Sequence, residues 1–183
     1  MGAITQHPPV LLILAAFSRY DSALAWARQK AVANWGPITA SSDVFAFEDT
    51  DYYEQSMGPG LRKVFLAFED LIDAARLVEI KHQTNAWEDE YRQTNDHPEP
   101  RPLNLDPGYL TEAKLVLATT KDRDHRLYLG QGIFAEVTLH CHRGQRWTPR
   151  EWTYPDYRNS TYHEYFTRCR SYLRGAIGKR KKK

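Results

Sequence analysis

Apolar positions in this chain gather into runs separated by polar, proline-rich or glycine-rich breaks. Val10–Phe17 is continuously apolar, the pattern of a central strand covered on both faces. Asp21-Ser22 supplies a helix start, and Ala23, Leu24, Trp26, Ala27 and Ala31 keep helical spacing until Gly36-Pro37 stops it. Asp43–Phe47 alternates like a strand, Tyr52–Gly60 reads as a connection, and Arg62–Phe68 is a second apolar strand. From Asp70 to about Gln93, Leu71, Ala74, Val78 and then Leu77, Ile80, Trp87, Tyr91 predict a long helix. The proline-rich segment His97–Pro102 ends it and leads into an extended Leu103–Leu105.

The order strand, helix, strand, strand, helix, strand predicts an α+β fold. Its form would be a ferredoxin-like split βαβ antiparallel sheet, with two helices on one face, over about residues 9–110. A strand-helix extension follows over about 111–174. In it, Leu110–Thr119 has the spacing of a short helix, while Leu127–Leu129 and Ile133–Cys141 are strands around Gly130-Gln131-Gly132. Tyr162–Arg174 is a closing helix with Tyr165, Phe166, Cys169 and Leu173 on its apolar side. Residues 1–178 thus read as one domain and 179–183 as a disordered basic tail.

Composition narrows the function. The 183 residues are 42% apolar and 13% aromatic, enough for a real core. Formal charge is +2, but Lys179–Lys183 supply five positives, so the body is mildly acidic. That balance argues against a folded nucleic-acid platform and leaves the tail as the route to RNA. Two cysteines cannot make a disulfide framework and fit a reduced compartment. Val10–Phe17 lacks an upstream cation and is too short to span a bilayer. The expected location is the cytoplasm, away from membranes.

Candidate chemistry concentrates in polar positions between buried runs, since such groups need partners there. Lys81, Thr84, Asn85 and Glu88 share one helix face; they form either a solvated stripe or a ligand wall. Asp106-Pro107-Gly108-Tyr109 carries a type II turn signal and would present Asp106 from a strand end. Thr119–Arg126 offers hydroxyls, cations and the imidazole of His125, a candidate for proton transfer. Along Ile133–His142, Glu136, Thr138, His140 and His142 alternate with apolar residues. That gives metal-ligand chemistry on one face, but not the Cys/His spacing of structural zinc, and no metal is expected. No Gly-x4-Gly-Lys-Ser/Thr, Gly-x-Gly-x-x-Gly, Gly-x-Ser-x-Gly or His-Glu-x-x-His occurs, so P-loop, Rossmann, elbow-serine and zincin chemistry lose their support.

The resulting expectation is a cleft for a small anionic, phosphorylated or nucleotide-like ligand. Lys81, Lys121, Arg126 and Arg158 would neutralise it, with Tyr53, Thr84 and Tyr157 orienting it. His125 would serve as general acid or base with Asp106, Glu88 and Glu136. An RNA-associated protein working through its tail, and a non-catalytic interaction module whose charges lock the extension to the sheet, are the competing readings. No cofactor is named by any motif.

Several segments together resemble an uncharacterised prokaryotic family, the domain-of-unknown-function family numbered 4416. They are Thr50–Glu54 with Met57-Gly58, Lys81 with Thr84-Asn85 and Glu88, Asn104–Leu110, Lys114–Arg123, His125-Arg126, Gly132-Ile133, Glu136–Leu139 and Trp152–Arg158. The resemblance runs from about Pro9 to Tyr172. Members are sometimes labelled GTP-binding, and the resemblance carries no catalytic residue with it.

Overall fold

The computed structural model describes residues 2–47, 53–142 and 146–180. Thr50–Tyr52 of the first motif and Lys181–Lys183 of the tail lie outside the described residues, as does the side chain of His142. Among the described residues, nine strands form one sheet with antiparallel pairings throughout. They are β1 (Val10–Ser18), β2 (Ile38–Ser41), β3 (Phe45–Ala46), β4 (Arg62–Ile72), β5 (Asn104–Leu110), β6 (Lys114–Thr119), β7 (Leu127–Gly130), β8 (Ile133–His142) and β9 (Arg146–Pro149). The path across the sheet is β2-β4-β1-β5-β6-β8-β7, with β3 beside β4 and β9 beside β8. The helices are α1 (Asp21–Trp35), α2 (Glu54–Met57), α3 (Leu77–Thr94) and α4 (Ser160–Arg180). The fold is α+β, and the strands at Val10 and Arg62 are central neighbours.

Helices cover both faces. Leu12, Leu14 and Ala16 of β1 pack with Ala27, Ala31 and Trp35 of α1 and with Ile80, Trp87 and Tyr91 of α3. Their alternates Leu11, Ile13 and Ala15 pack with Tyr162, Tyr165, Phe166 and Cys169 of α4. This two-sided burial explains why β1 is apolar without alternation. Phe65 on β4 anchors the α4 side, lying edge-on to Tyr162 at 4.7 Å and to Phe166 at 5.1 Å between ring centroids.

The same two-sided burial misleads helix and strand assignment elsewhere. Leu110–Thr119 is not a helix but the hairpin of β5 and β6, closed at Thr111, whose hydroxyl accepts from the N–H groups of Ala113 and Lys114. Leu115 and Leu117 face α4, while Val116 and Ala118 face the other way. A strand apolar on both faces also satisfies helical spacing. At the front of α3, β4 continues to Ile72 because Leu71 and Ile72 pair with Leu11 and Val10. Asp73 then caps a 3-10 turn by accepting from the Ala75 N–H, and the helix begins at Leu77 rather than Asp70. The strand expected over Asp43–Phe47 is reduced to Phe45–Ala46, and the pairing beside β4 comes mainly from Ile38–Ser41. Helix α4 runs on through Lys179 and Arg180, so the first two residues of the expected tail are helical.

Asp106-Pro107-Gly108-Tyr109 is not a turn either; it lies inside β5. Gly108 serves close approach instead. A Cβ there would sit 2.3 Å from the carbonyl oxygen of Val116 on β6. Beyond this point the strands part: β5 pairs with β6 only over Gly108–Leu110, whereas Asn104–Pro107 pairs with β1 alone. A notch opens at one end of the sheet.

Gly108→Ala should therefore destabilise by about 1–3 kcal/mol, as overpacking does. Urea denaturation checks this, and an unchanged midpoint would show that the β5–β6 contact yields without cost.

Candidate ligand-binding cavity

In an antiparallel ladder the N–H and C=O of one residue point to the same neighbour. Leu105 directs both away from β1, toward the side β6 has vacated. Side chains of α3 meet them: Glu88 accepts the Leu105 N–H at 2.7 Å and Lys81 Nζ donates to the Leu105 carbonyl at 3.0 Å. Pro107 points the same way and has no N–H to satisfy. Around this graft the hydrogen bonds continue. Lys81 lies 3.5 Å from one Asp106 oxygen, and Asn104 donates to the other at 3.0 Å. Arg101 bridges Asn104 and Glu88, the latter at 3.3 Å. Lys81 and Asn104 are buried.

A second group approaches from β8 and the loops. The Glu136 carboxylate, 4% exposed, accepts from Arg126 Nε at 2.8 Å and from the Thr138 hydroxyl at 3.3 Å. His125 Nε2 lies 3.3 Å from it. Thr138 is the extra residue of a bulge, because Leu115 pairs with Leu139 but Val116 pairs with Val137. The bulge frees the carbonyls of Val137 and Thr138, which accept from Trp152 Nε1 at 3.1 Å and from the Thr153 hydroxyl at 2.6 Å. Those bonds dock the segment carrying Tyr154, Asp156 and Tyr157. The bulge also corrects the expected alternation of β8: Glu136 and His140 fall on opposite faces, which separates the residues considered for a metal. Among the described residues, no group of three His, Cys, Asp or Glu is placed to hold one.

The third group is a buried ion pair. Lys63 of β4 bonds to Asp156, and both are 3% exposed. The Lys63 ammonium lies 4.2 Å from the ring centroid of Phe47, 4.9 Å from that of Phe17 and 5.0 Å from that of Tyr157, an aromatic enclosure that stabilises the charge further.

All three groups line one cavity of about 340 Å³ at the notch. Of the expected site residues it brings together Tyr53, Lys81, Glu88, Asp106, Lys121, Arg126, Glu136 and Tyr157. Three others stand apart. His125 reaches the cavity only through Glu136 and stacks on Trp152 with ring centroids 5.2 Å apart. Thr84 is fully buried, its hydroxyl donating to the Lys81 carbonyl of its own helix. Arg158 donates to the carbonyls of Arg150, Glu151 and Thr153, tying the loop together. Lys63, Arg101, Asn104 and Asp156 were not anticipated. The readable signal for Lys63 was slight: it follows Arg62 at the head of an apolar strand run, and lysine is a residue type almost never fully buried without a partner.

The lining holds five cations (Lys63, Lys81, Arg101, Lys121, Arg126) and four carboxylates (Glu88, Asp106, Glu136, Asp156). Burial pushes the Glu88 carboxyl up, against the pull of Lys81, the Leu105 N–H and Arg101. Burial likewise raises the phenols of Tyr53 and Tyr157, which stay neutral at physiological pH. The Tyr157 hydroxyl is buried and has no hydrogen-bond partner among the described residues.

These features define an α+β protein with an antiparallel sheet and a polar, ion-paired cavity at one sheet end. The family model of the domain of unknown function 4416 (DUF4416) matches residues 8–172, and the chain belongs to that family. None of the curated proteins and none of the solved structures matches it.

Two outcomes follow from the electrostatics. Asp156→Asn strands the Lys63 ammonium and should cost about 3–5 kcal/mol, whereas the pair Lys63→Met with Asp156→Leu should recover most of the loss; urea midpoints of the three proteins decide. Glu88 holds its proton more tightly folded than unfolded, so its contribution is favourable at acid pH and is lost as pH rises through its folded pKa. The stability of wild type relative to Glu88→Gln should accordingly fall between pH 4 and pH 8. A flat difference would contradict the raised pKa.

Proposed function

We propose that the protein binds a small anionic ligand, phosphorylated or nucleotide-like, in the cavity where β5 and β6 part. The observation that carries this reading is the convergence of eight sequence-singled polar residues on one cavity of about 340 Å³. That volume falls within the range of small-molecule sites. If the charged motifs served only to lock the extension onto the sheet, they would close on each other without leaving such a space. The Tyr157 hydroxyl, without a partner among the described residues, supports the reading, since a buried polar group gains when a ligand completes it.

In this reading Lys121, exposed at the edge of the lining, and Arg126 meet the anion, with the Thr119 and Thr120 hydroxyls beside them. Acid/base work falls to Glu88, Asp106 and Glu136, which line the cavity, and His125 acts through Glu136. We further infer that Val10–Leu110 is a ferredoxin-like unit. The order β2-β4-β1-β5, with α1 and α3 packed on one face, supports it. The buried free thiols of Cys141 and Cys169 are in keeping with a cytoplasmic setting. No described helix is long and apolar enough to cross a membrane.

A thermal-shift screen of nucleotides, sugar phosphates and small carboxylates tests the binding. A ligand at 100 times its dissociation constant should stabilise the native state by about 2.7 kcal/mol. Lys121→Ala should abolish the shift while leaving the protein folded. A screen blank for every anion, or normal binding by that variant, removes the proposal.

A further inference from the structure

We infer that the protein dimerises about a two-fold axis through β7, the free edge of its sheet pairing antiparallel with β7 of a second copy. The inference is independent of what the cavity binds.

Strand β7 ends the path across the sheet, and among the described residues no strand lies beyond it. It pairs with β8 on one side, Leu127 with Ala135 and Tyr128 with Phe134. The outer side is an open edge, a template for another strand. Its side chains are apolar as well. Leu127 and Tyr128 project from opposite faces of the sheet and are 73% and 63% exposed, and Leu129 follows at 43%. Directly before the strand, Trp152 stacks on His125 and Arg126 donates to the Tyr154 hydroxyl; both aromatic residues are exposed. Five of the eight exposed large apolar side chains among the described residues therefore gather at this edge, with Ile4, Val32 and Val44 elsewhere. Apolar groups gathered in this way mark a contact surface.

Other edges are blunted. On β2 the Tyr165 hydroxyl takes the Ala40 carbonyl, and Arg28 reaches Ser41. Strand β9 ends in Pro149. Charges and prolines are common means of stopping an edge from pairing, and β7 has neither.

Charge identifies the occupant. A two-fold axis sets a strand against its own sequence reversed, so a charge at its centre would face its like. From Leu127 to Phe134 the chain carries no charged residue. Pairing centred on β7 lays the flank before the strand opposite the uncharged turn Gly130-Gln131-Gly132 of the second copy. Arg126 turns inward, its side chain 5% exposed beside Glu136. The loop Lys121-Asp122-Arg123-Asp124 is balanced in sign and draws no polyanion to the edge. With four residues the strand makes a small interface, so association is reversible and depends on concentration.

Sedimentation equilibrium of the full chain over about 1 to 500 μM tests this: the mass should rise from that of one chain to twofold. Leu127→Lys with Leu129→Lys puts like charges across the axis and should hold the chain monomeric, as should Leu127→Glu with Leu129→Glu. Mixing the two variants should restore the dimer. Val44→Lys, at an exposed apolar residue elsewhere, should dimerise like wild type. Amide exchange at Leu127–Leu129 of wild type should slow with concentration, which reads the same edge without a substitution. A wild-type chain monomeric at every concentration overturns the inference and leaves the edge to a foreign strand. A dimer untouched by the lysine pair, or without slowed exchange at β7, places the interface elsewhere and overturns it too. Growth beyond two chains contradicts the closed two-fold, and variants that stay apart on mixing contradict the strand pairing.

Discussion

The parting of β5 from β6 governs the rest of the molecule. Gly108 lets the two backbones meet, and upstream of it the ladder stops. A sheet interior with unpaired N–H and C=O groups is costly, and the chain answers with side chains instead of a strand. Glu88 and Lys81 take the two backbone groups of Leu105. Their charges then require Arg101, Asn104 and Asp106 around them. The polar character of the cavity is thus a consequence of how an interrupted ladder is satisfied, and the space remains because side chains fill less of the notch than a continuous β6 would.

The opposite side of the notch depends on a second irregularity. The bulge at Thr138 turns two carbonyls outward, and these hold Trp152 and Thr153. Through that attachment the 3-10 turn Pro155–Arg158 comes to rest over β4, where Asp156 meets Lys63. Two local departures from regular pairing, one in β5–β6 and one in β6–β8, therefore set the walls of one site.

Much of the architecture was legible because β1, α1 and the front of β4 carry unambiguous patterns. Errors cluster where burial on both faces erases alternation. Leu110–Thr119 satisfies helical spacing as well as strand spacing, and Leu71–Ile72 extends β4 by pairing with β1, a long-range contact that local periodicity does not contain. Pro107-Gly108 carries a turn signature, yet its glycine answers to a neighbouring strand. Of the site, the polar positions were readable one by one as groups that must find partners. Their pairing was not, because Lys63 and Asp156 stand 93 residues apart. His125 illustrates the limit of composition: its chemistry is suited to catalysis, but Glu136 stands between it and the cavity.

That Lys63–Asp156 separation bears on how the protein is made. One face of β1 and β4, including Ile13, Phe65 and Ala67, is covered by α4, and one wall of the cavity is held by Asp156. Until Asp156 and α4 have been synthesised, that apolar face lacks its cover and the Lys63 ammonium lacks its counter-ion. Contacts of such long sequence separation slow folding, because loop closure precedes any gain. An emerging chain would therefore display a sticky half-sheet and an incomplete cavity until α4 has been made. The cavity is in this sense conditional on α4 and the turn before it, and the bare α4 face of the sheet is where an incompletely folded chain would be prone to aggregate.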